Sequence, residues 1–300
     1  MLHRGALPAM GTRFEIVAGG EDPLLLRAAV EQAFEEISIC HRLWNVFSHQ
    51  SLLARIHAEG HQRPVPIDGL TLDLLLQCAR LHEETGGAFD PVIGADLAAA
   101  DPRREGVDGV APRDGFDGID LDPVAATVRL LEPRLRFDLG AIAKGYACDL
   151  AAQILRDAAV SSALIHGGTS SVVAVGAPQG RADWAIEVKG HVGNPIRLHD
   201  HCLAVSSPAG GGGGGHIVDP GSGDRISCES PGALVIGASA TDCDAWSTAL
   251  TVTGFDNELV RRMPPVLKGY PLEPDPTAHK QPGAVTPVEE VRCTPIVEIS

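Results

Sequence analysis

Three hundred residues, 44% hydrophobic and 21% charged, are enough to build a full apolar core and exclude a disordered chain. A formal net charge of −15, from 39 acidic against 24 basic side chains, offers no basic footprint for a phosphate backbone and excludes nucleic acid as a partner. The same charge repels any small anion unless a bound cation or oriented backbone amides reverse the local field.

The start of the chain has no apolar leader with a small-residue cleavage site, and no run of 18 apolar residues follows, so a cytoplasmic protein without a membrane anchor is expected. Residues 12–17 read as a strand. Asp22-Pro23 supplies an N-cap and a first helical residue, and Leu26, Ala29, Val30, Ala33, Phe34, Ile37 and Trp44 follow at helical spacing, which predicts a helix over 23–43. A second helix over 70–85 would put Leu72, Leu75, Leu76 and Ala79 on one face and stop at Gly86. Residues 98–123 mix Asp, Pro, Gly and Arg without periodicity and read as a long loop.

Beyond that loop, 135–137 reads as the end of a strand, 139–159 as a helix, and 163–166, 171–175, 184–188 and 202–205 as strands. The apolar run 233–236 leads into a helix over 242–253. Six glycines, 210–215, form either a flexible amide-rich loop or a linker. Residues 264–300, rich in Pro and charge, read as a weakly ordered tail behind a domain of residues 1–263. Strands without strict βαβ alternation predict a mixed α+β fold. Seven scattered cysteines, with no Cys-x-x-Cys pair, read as reduced thiols.

Several motifs carry no chemistry. Gly140-Ala-Ile-Ala-Lys144-Gly145 has Lys before Gly where a P-loop needs the reverse order, and the glycine run leads into His216 instead of a helix, which removes a dinucleotide fingerprint. His166-Gly167-Gly168 has no Gly-x-Ser-x-Gly elbow to serve, and His199-Asp200-His201 has no third ligand. The informative stretch is 241–250. In a helix Asp244 and Thr248 stand at i and i+4, so a carboxylate and a hydroxyl share one face a turn apart. Such oxygen donors suit Mg²⁺, with positions left for water and phosphate. The alternative is that Asp242 or Asp244 caps the helix.

Segment 138–149 also opens a helix on an acidic residue. Small residues at 140, 141, 143 and 145 allow close approach of backbone or ligand, with Lys144 in reach of the helix start; close helix packing is the alternative. In Gly86-Gly87-Ala88-Phe89-Asp90-Pro91, Phe89 either stacks on a ligand ring or plugs the core with Asp90 in the turn.

Taken in order, Met10-Gly11-Thr12, Gly87-Ala88-Phe89-Asp90-Pro91, 138–149, Gly167-Gly168, His216-Ile217-Val218-Asp219-Pro220 with Gly223, and Asp244-Ala245-x-Ser247-Thr248-Ala249-Leu250 resemble the ApbE family of FAD:protein FMN transferases. The resemblance spans residues 10–254. It implies a single T-fold-like α+β domain with mixed sheets and flanking helices, holding FAD with its pyrophosphate on Mg²⁺. The implied metal ligands are the Ala141 carbonyl, Asp244 and Thr248. The implied flavin and adenine contacts are Met10, Phe47, Ala88, Phe89, Asp90, Asp138, Lys144, His216 and Ser247.

The reaction so implied moves FMN from FAD to a Thr or Ser hydroxyl of an acceptor flavoprotein bearing an Asp-x-x-Ser/Thr-Gly-Ala-Thr segment, and releases AMP. Lys144 would neutralise phosphoryl charge, and His216 would take the acceptor proton as a neutral imidazole. A bound Mg²⁺ would reconcile the chain's net charge with an anionic ligand. Hydrolysis of FAD to FMN and AMP, and FAD binding without turnover, remain alternatives on this scaffold. The chain departs from the family pattern at Ala54 and His57, at Thr169 where Gly-Gly-Asp is usual, and at Ser206-Ser207-Pro208 where Thr-Ser-Gly is usual.

Overall fold

The computed structural model describes residues 1–98, 115–209, 217–255, 258–274 and 291–292. In chain order its first half holds β1 (Leu2–Ala9), β2 (Thr12–Gly19), α1 (Pro23–Trp44), α2 (Leu52–Glu59), β3 (Val65–Pro66), α3 (Gly69–Glu84) and α4 (Gly94–Ala98). A 3₁₀ turn at Gly115–Gly118 then leads through β4 (Ile119–Asp122) and β5 (Thr127–Leu130) to α5 (Ala143–Asp157). The second half holds β6 (Ser162–Gly167), β7 (Ser171–Gly176), β8 (Trp184–Val188), β9 (Ile196–Leu198), β10 (Cys202–Ser206) and β11 (Gly232–Gly237). It ends with α6 (Ala240–Thr253), α7 (Glu258–Arg262), β12 (Lys268–Leu272) and β13 (Val291–Arg292).

The central sheet runs β1-β2-β6-β7-β10-β11-β12 with every neighbouring pair antiparallel. Two smaller antiparallel sheets, β13-β8-β9 and β3-β5-β4, flank it. Both faces of the central sheet are covered, which is why β6 and β7 read as nearly unbroken apolar runs. Phe14, Ile16, Ala18, Ala163, Ile165, Val173 and Ala204 pack with the buried stripes of α1, α5 and α6. Leu164, Val172, Ala174 and Leu203 face the other way, onto Trp184, Ile186 and Leu198. Each large side chain so buried contributes roughly 1.5–3 kcal/mol of transfer free energy. The result is the mixed α+β architecture expected from the strand pattern.

α1 forms as its cap predicts: Asp22 accepts the N–H groups of Leu24 at 2.9 Å and Leu25 at 3.2 Å, with Pro23 behind it. α3 occupies the expected span but turns a different stripe inward. Thr71, Leu74, Leu75, Cys78 and Leu81 are buried while Leu76 is 42% exposed. Leucines at 70, 72, 74, 75 and 76 cover more than one face, so spacing alone does not fix the rotation. Residues 135–137 are not a strand, because α2 and the start of α4 take their backbone groups. The Phe137 N–H donates to His57 Nε2 at 2.9 Å, and the Arg136 carbonyl accepts from Gly94 at 2.9 Å.

α5 begins at Ala143, later than predicted, because Asp138 Oδ1 first accepts the Gly140 N–H at 2.8 Å in a side-chain-closed turn. Ten of the described elements went unread in the sequence: β1, α2, β3, α4, β4, β5, β9, α7, β13 and β12, with β4 inside the expected 98–123 loop. β12 lies inside the stretch expected to be weakly ordered and pairs with β11 from Gly232↔Leu272 to Ile236↔Lys268. Its Pro271 is tolerated because β12 is an edge strand. The glycine run, His216, and the 99–114 part of the expected long loop lie outside the described residues. Among those described, no helix is long and apolar enough to cross a membrane.

Candidate functional site

The first turns of α5 and α6 cross above the central sheet. Gly145 makes the crossing possible: a Cβ there would overlap the carbonyl oxygen of Ala240. With the backbones this close, the Gly145 N–H donates to Asp244 Oδ2 at 2.7 Å. In an uninterrupted helix that N–H would return to the carbonyl of Ala141. Among the described residues the Ala141 carbonyl receives no backbone hydrogen bond, since the Gly145 N–H that would reach it goes to Asp244 instead.

The other Asp244 oxygen, Oδ1, accepts the Ser171 hydroxyl at 2.7 Å. Asp244 is 5% exposed, and burial pushes its carboxyl up to about 6. The charge of Lys144, the Ser171 hydroxyl and the Gly145 N–H hold that rise back, while Asp149 adds to it. A carboxylate has about four acceptor sites, so two bonds leave lone pairs on both oxygens. One turn further along α6, Thr248 Oγ1 donates to the Asp244 carbonyl at 3.1 Å and lies 3.0 Å from Ser206 Oγ. Lys144 Nζ reaches back to the Gly140 carbonyl at 2.6 Å, over the same helix start.

Neither aspartate caps α6. Ser239 does, accepting the Asp242 N–H at 3.2 Å, while Asp242 pairs with Arg80 of α3. The remaining N–H groups of that first turn go to Asp149 of α5. Its carboxylate accepts from the amides of Ala240 and Thr241 and from the hydroxyls of Ser239 and Thr241, at 2.7–2.9 Å. Each helix thus supplies a carboxylate to the N-terminus of the other.

The remaining expected residues are placed as follows. Asp138 precedes α5, its N–H donating to the Pro91 carbonyl at 2.7 Å, so the 88–91 turn abuts the α5 start. Phe89 is 1% exposed and plugs the core beneath that turn, with Ala88 half-buried above it. Asp90 accepts from Val92 at 2.7 Å and from Phe116 at 3.0 Å, which ties 115–118 to the turn; burial raises its carboxyl. Ser247 is fully buried and joins the hydroxyl cluster, donating to the Asp244 carbonyl at 3.0 Å. Met10 sits at φ 50° with its N–H on His41 Nδ1 at 3.1 Å, and Phe47, 52% exposed, stands on the turn after α1.

Hydrogen bonds therefore gather Gly145, Asp244, Ser247 and Thr248, with Lys144 bonded to the Gly140 carbonyl and Ala141 lying between them in the chain at the start of α5. His57, one of the departures from the family pattern, is the acceptor that holds 135–138 in place. Its ring also stacks on Phe137, and burial lowers its pKa to about 3. Position 145 was marked for close backbone approach and Ser206 as a departure from the family pattern, but the bond from Gly145 to Asp244, the cap formed by Asp149 and the place of Ser171 and Ser206 beneath α6 were not read from the sequence. Ser206 keeps a hydroxyl where the family pattern has Thr.

Among the described residues, no group of three His, Cys, Asp or Glu is arranged to hold a metal ion. A carbonyl without a backbone hydrogen bond, a carboxylate with spare lone pairs and a hydroxyl form a mixed oxygen set instead, which fits a hard cation such as Mg²⁺ that keeps waters or phosphate for its other positions.

Comparison with known proteins identifies the family. The chain is 27% identical over 277 residues to an FAD:protein FMN transferase of Treponema pallidum, covering 80% of this chain and 76% of that one. It is 22% identical to the FAD:protein FMN transferase of Escherichia coli K12, over 84% of this chain and 79% of that one. The crystal structure of the ApbE protein of Thermotoga maritima superposes with a TM-score of 0.72 at 23% identity, over 87% of this chain and 90% of that one. The apo flavinyl transferase ApbE of Pseudomonas stutzeri does so with 0.72 at 21%, over 85% and 86%. With the ApbE family model matching residues 10–268, from the Met10 turn past the α6 donor pair, the chain belongs to the ApbE family.

Proposed function

We propose that this protein is a Mg²⁺-dependent FAD:protein FMN transferase, moving FMN from FAD to a Thr or Ser hydroxyl of an acceptor flavoprotein and releasing AMP. One observation supports the reading: Asp244, a turn before Thr248 on α6, takes the Gly145 N–H at the start of α5 and so frees the carbonyl of Ala141, with the Lys144 ammonium over the same helix start. The Treponema and Escherichia relatives bear that activity in their names.

Ala141, Asp244 and Thr248 would hold the ion, which supplies charge neutralisation to the diphosphate bridge when bound. Lys144 adds a second positive charge where phosphoryl oxygens gain negative charge in the transition state. Asp138, Met10, Phe47 and Ser247 border the flavin and adenine ends, with Ala88, Phe89 and Asp90 shaping the turn between them. His216 takes the proton of the acceptor hydroxyl; that oxygen bonds to the phosphorus of the FMN half, the bond from that phosphorus to the bridging oxygen breaks, and AMP leaves with the electron pair. The product is a phosphoester-linked flavin on a segment of the Asp-x-x-Ser/Thr-Gly-Ala-Thr type.

Incubating the purified protein with FAD, Mg²⁺ and such an acceptor is expected to give covalently bound FMN and AMP in equal amounts. Absence of both products overturns the proposal, and AMP with free FMN but no labelled protein replaces transfer with hydrolysis.

A further inference from the structure

Beneath the two α6 donors, the central sheet presents two serines where its strands are otherwise apolar. Ser171 opens β7 and Ser206 closes β10. The register Ala204↔Ser171 puts them at the same end of adjacent antiparallel strands. Both project from the face that packs on α6, alongside Val173 and Ala204. Ser171 is completely buried, and its hydroxyl donates to Asp244 Oδ1 at 2.7 Å. Ser206 Oγ lies 2.8 Å from Ser247 Oγ and 3.0 Å from Thr248 Oγ1.

Ser247 and Thr248 can each direct their one hydroxyl proton at the Asp244 carbonyl, at 3.0 and 3.1 Å. Ser206 Oγ then bridges the two oxygens with a single proton, 2.8 Å from Ser247 and 3.0 Å from Thr248. The Thr248 oxygen is held between the Asp244 carbonyl and Ser206, which sets the direction of the hydroxyl. Asp244 is fixed in the same way: Ser171 on Oδ1 and the Gly145 N–H on Oδ2 set the rotation of the carboxylate plane.

We propose that Ser171 and Ser206 are positioning residues that preset the two α6 oxygen donors before any ion arrives, Ser171 acting through Asp244 and Ser206 through Thr248. The proposal rests on the metal-dependent reading above. Hydrogen-bond partners of ligating groups typically contribute about 10–100-fold to metal affinity, and these two serines are such partners on separate strands.

The test is titration of the FAD-free protein with Mn²⁺ alone, followed by the electron paramagnetic resonance of the free ion, together with thermal melting. Ser171→Ala and Ser206→Ala are each expected to weaken Mn²⁺ binding by about tenfold or more. Ser206→Thr, which restores the hydroxyl, should bind within about twofold of the parent, a recovery that a packing role for the serine would not give. In the transfer assay, both alanine variants should raise the KM for Mg²⁺ by a similar factor while kcat at saturating Mg²⁺ stays within about threefold. If Ser171→Ala fails to fold, Ser206→Ala at its half-buried strand end decides the matter. Alanine variants that bind Mn²⁺ as tightly as the parent overturn the positioning role and leave the metal reading intact; a parent that binds no Mn²⁺ overturns both.

Discussion

Two aspartates pass between α5 and α6 in opposite directions, and they differ in what they have left to give. Asp149 accepts from two amides and two hydroxyls, so its acceptor capacity is used by the protein itself. Asp244 accepts two bonds, is more deeply buried, and has its carboxyl raised to about 6 by that burial. A saturated carboxylate is a joint. A buried carboxylate with spare lone pairs is costly to keep ionised unless a cation completes its shell. Spare acceptor capacity is thus left on the Asp244 side of the crossing, where the proposed chemistry lies, and saturated bonding on the Asp149 side.

Substitutions should separate the two sides. Asp244→Asn keeps shape and removes charge, and FMN transfer measured by AMP release at saturating Mg²⁺ should fall by about 10³-fold or more, with the melting temperature little changed. Asp149→Ala should do the opposite. Uncapping the α6 N-terminus is expected to cost about 2–4 kcal/mol, read as a lower urea midpoint, while activity per folded molecule falls by less than about tenfold. If Asp149→Ala abolished transfer without loss of stability, the division between the two carboxylates would be wrong. Gly145→Ala strikes both sides at once by pushing the helices apart at Ala240; about 1–3 kcal/mol of stability should go, together with a higher KM for Mg²⁺.

The last effect comes from outside the crossing and shows how much acid sensitivity is owed to neither aspartate. Burial lowers His57 to about 3 and His166 to about 4, against 6.5 when unfolded. Below pH 6.5 the unfolded chain binds protons that the folded chain refuses, so this contribution is intact above pH 6.5 and is lost as pH falls toward 4 and then 3. About 2 kcal/mol per histidine should be missing at pH 5, and His57→Gln should flatten that part of a urea-midpoint profile against pH.

The parts of the molecule written locally were legible in the sequence. Asp22-Pro23 and the spacing from Leu26 to Trp44 specify α1, and the apolar runs of β6 and β7 announce strands covered on both faces. The i, i+4 relation of Asp244 and Thr248 put a donor pair on one helix face, while Ala141 entered only through the family resemblance. What could not be read depends on pairing across the chain. Asp149 meets Ala240 at a separation of 91 residues, Ser171 meets Asp244 at 73, and Ser206 meets Thr248 at 42. No local pattern marks such a serine among others. Phe89 was ambiguous for a related reason: whether an aromatic ring in a turn stacks on a ligand or fills the interior depends on packing that includes the 115–118 turn, 26 residues away, as well as the nearby end of α3.

The bond from Gly145 to Asp244 spans 99 positions, and this has a consequence for how the protein is made. At roughly 5–20 residues per second, the ribosome needs about 5–20 s to extend the nascent chain from one partner to the other. Throughout that interval the start of α5 has emerged while the aspartate that completes it has not yet been synthesised. The bond that brings the starts of α5 and α6 together is therefore absent from the growing polypeptide until position 244 has been made, so this crossing cannot form as the first of its two helices emerges.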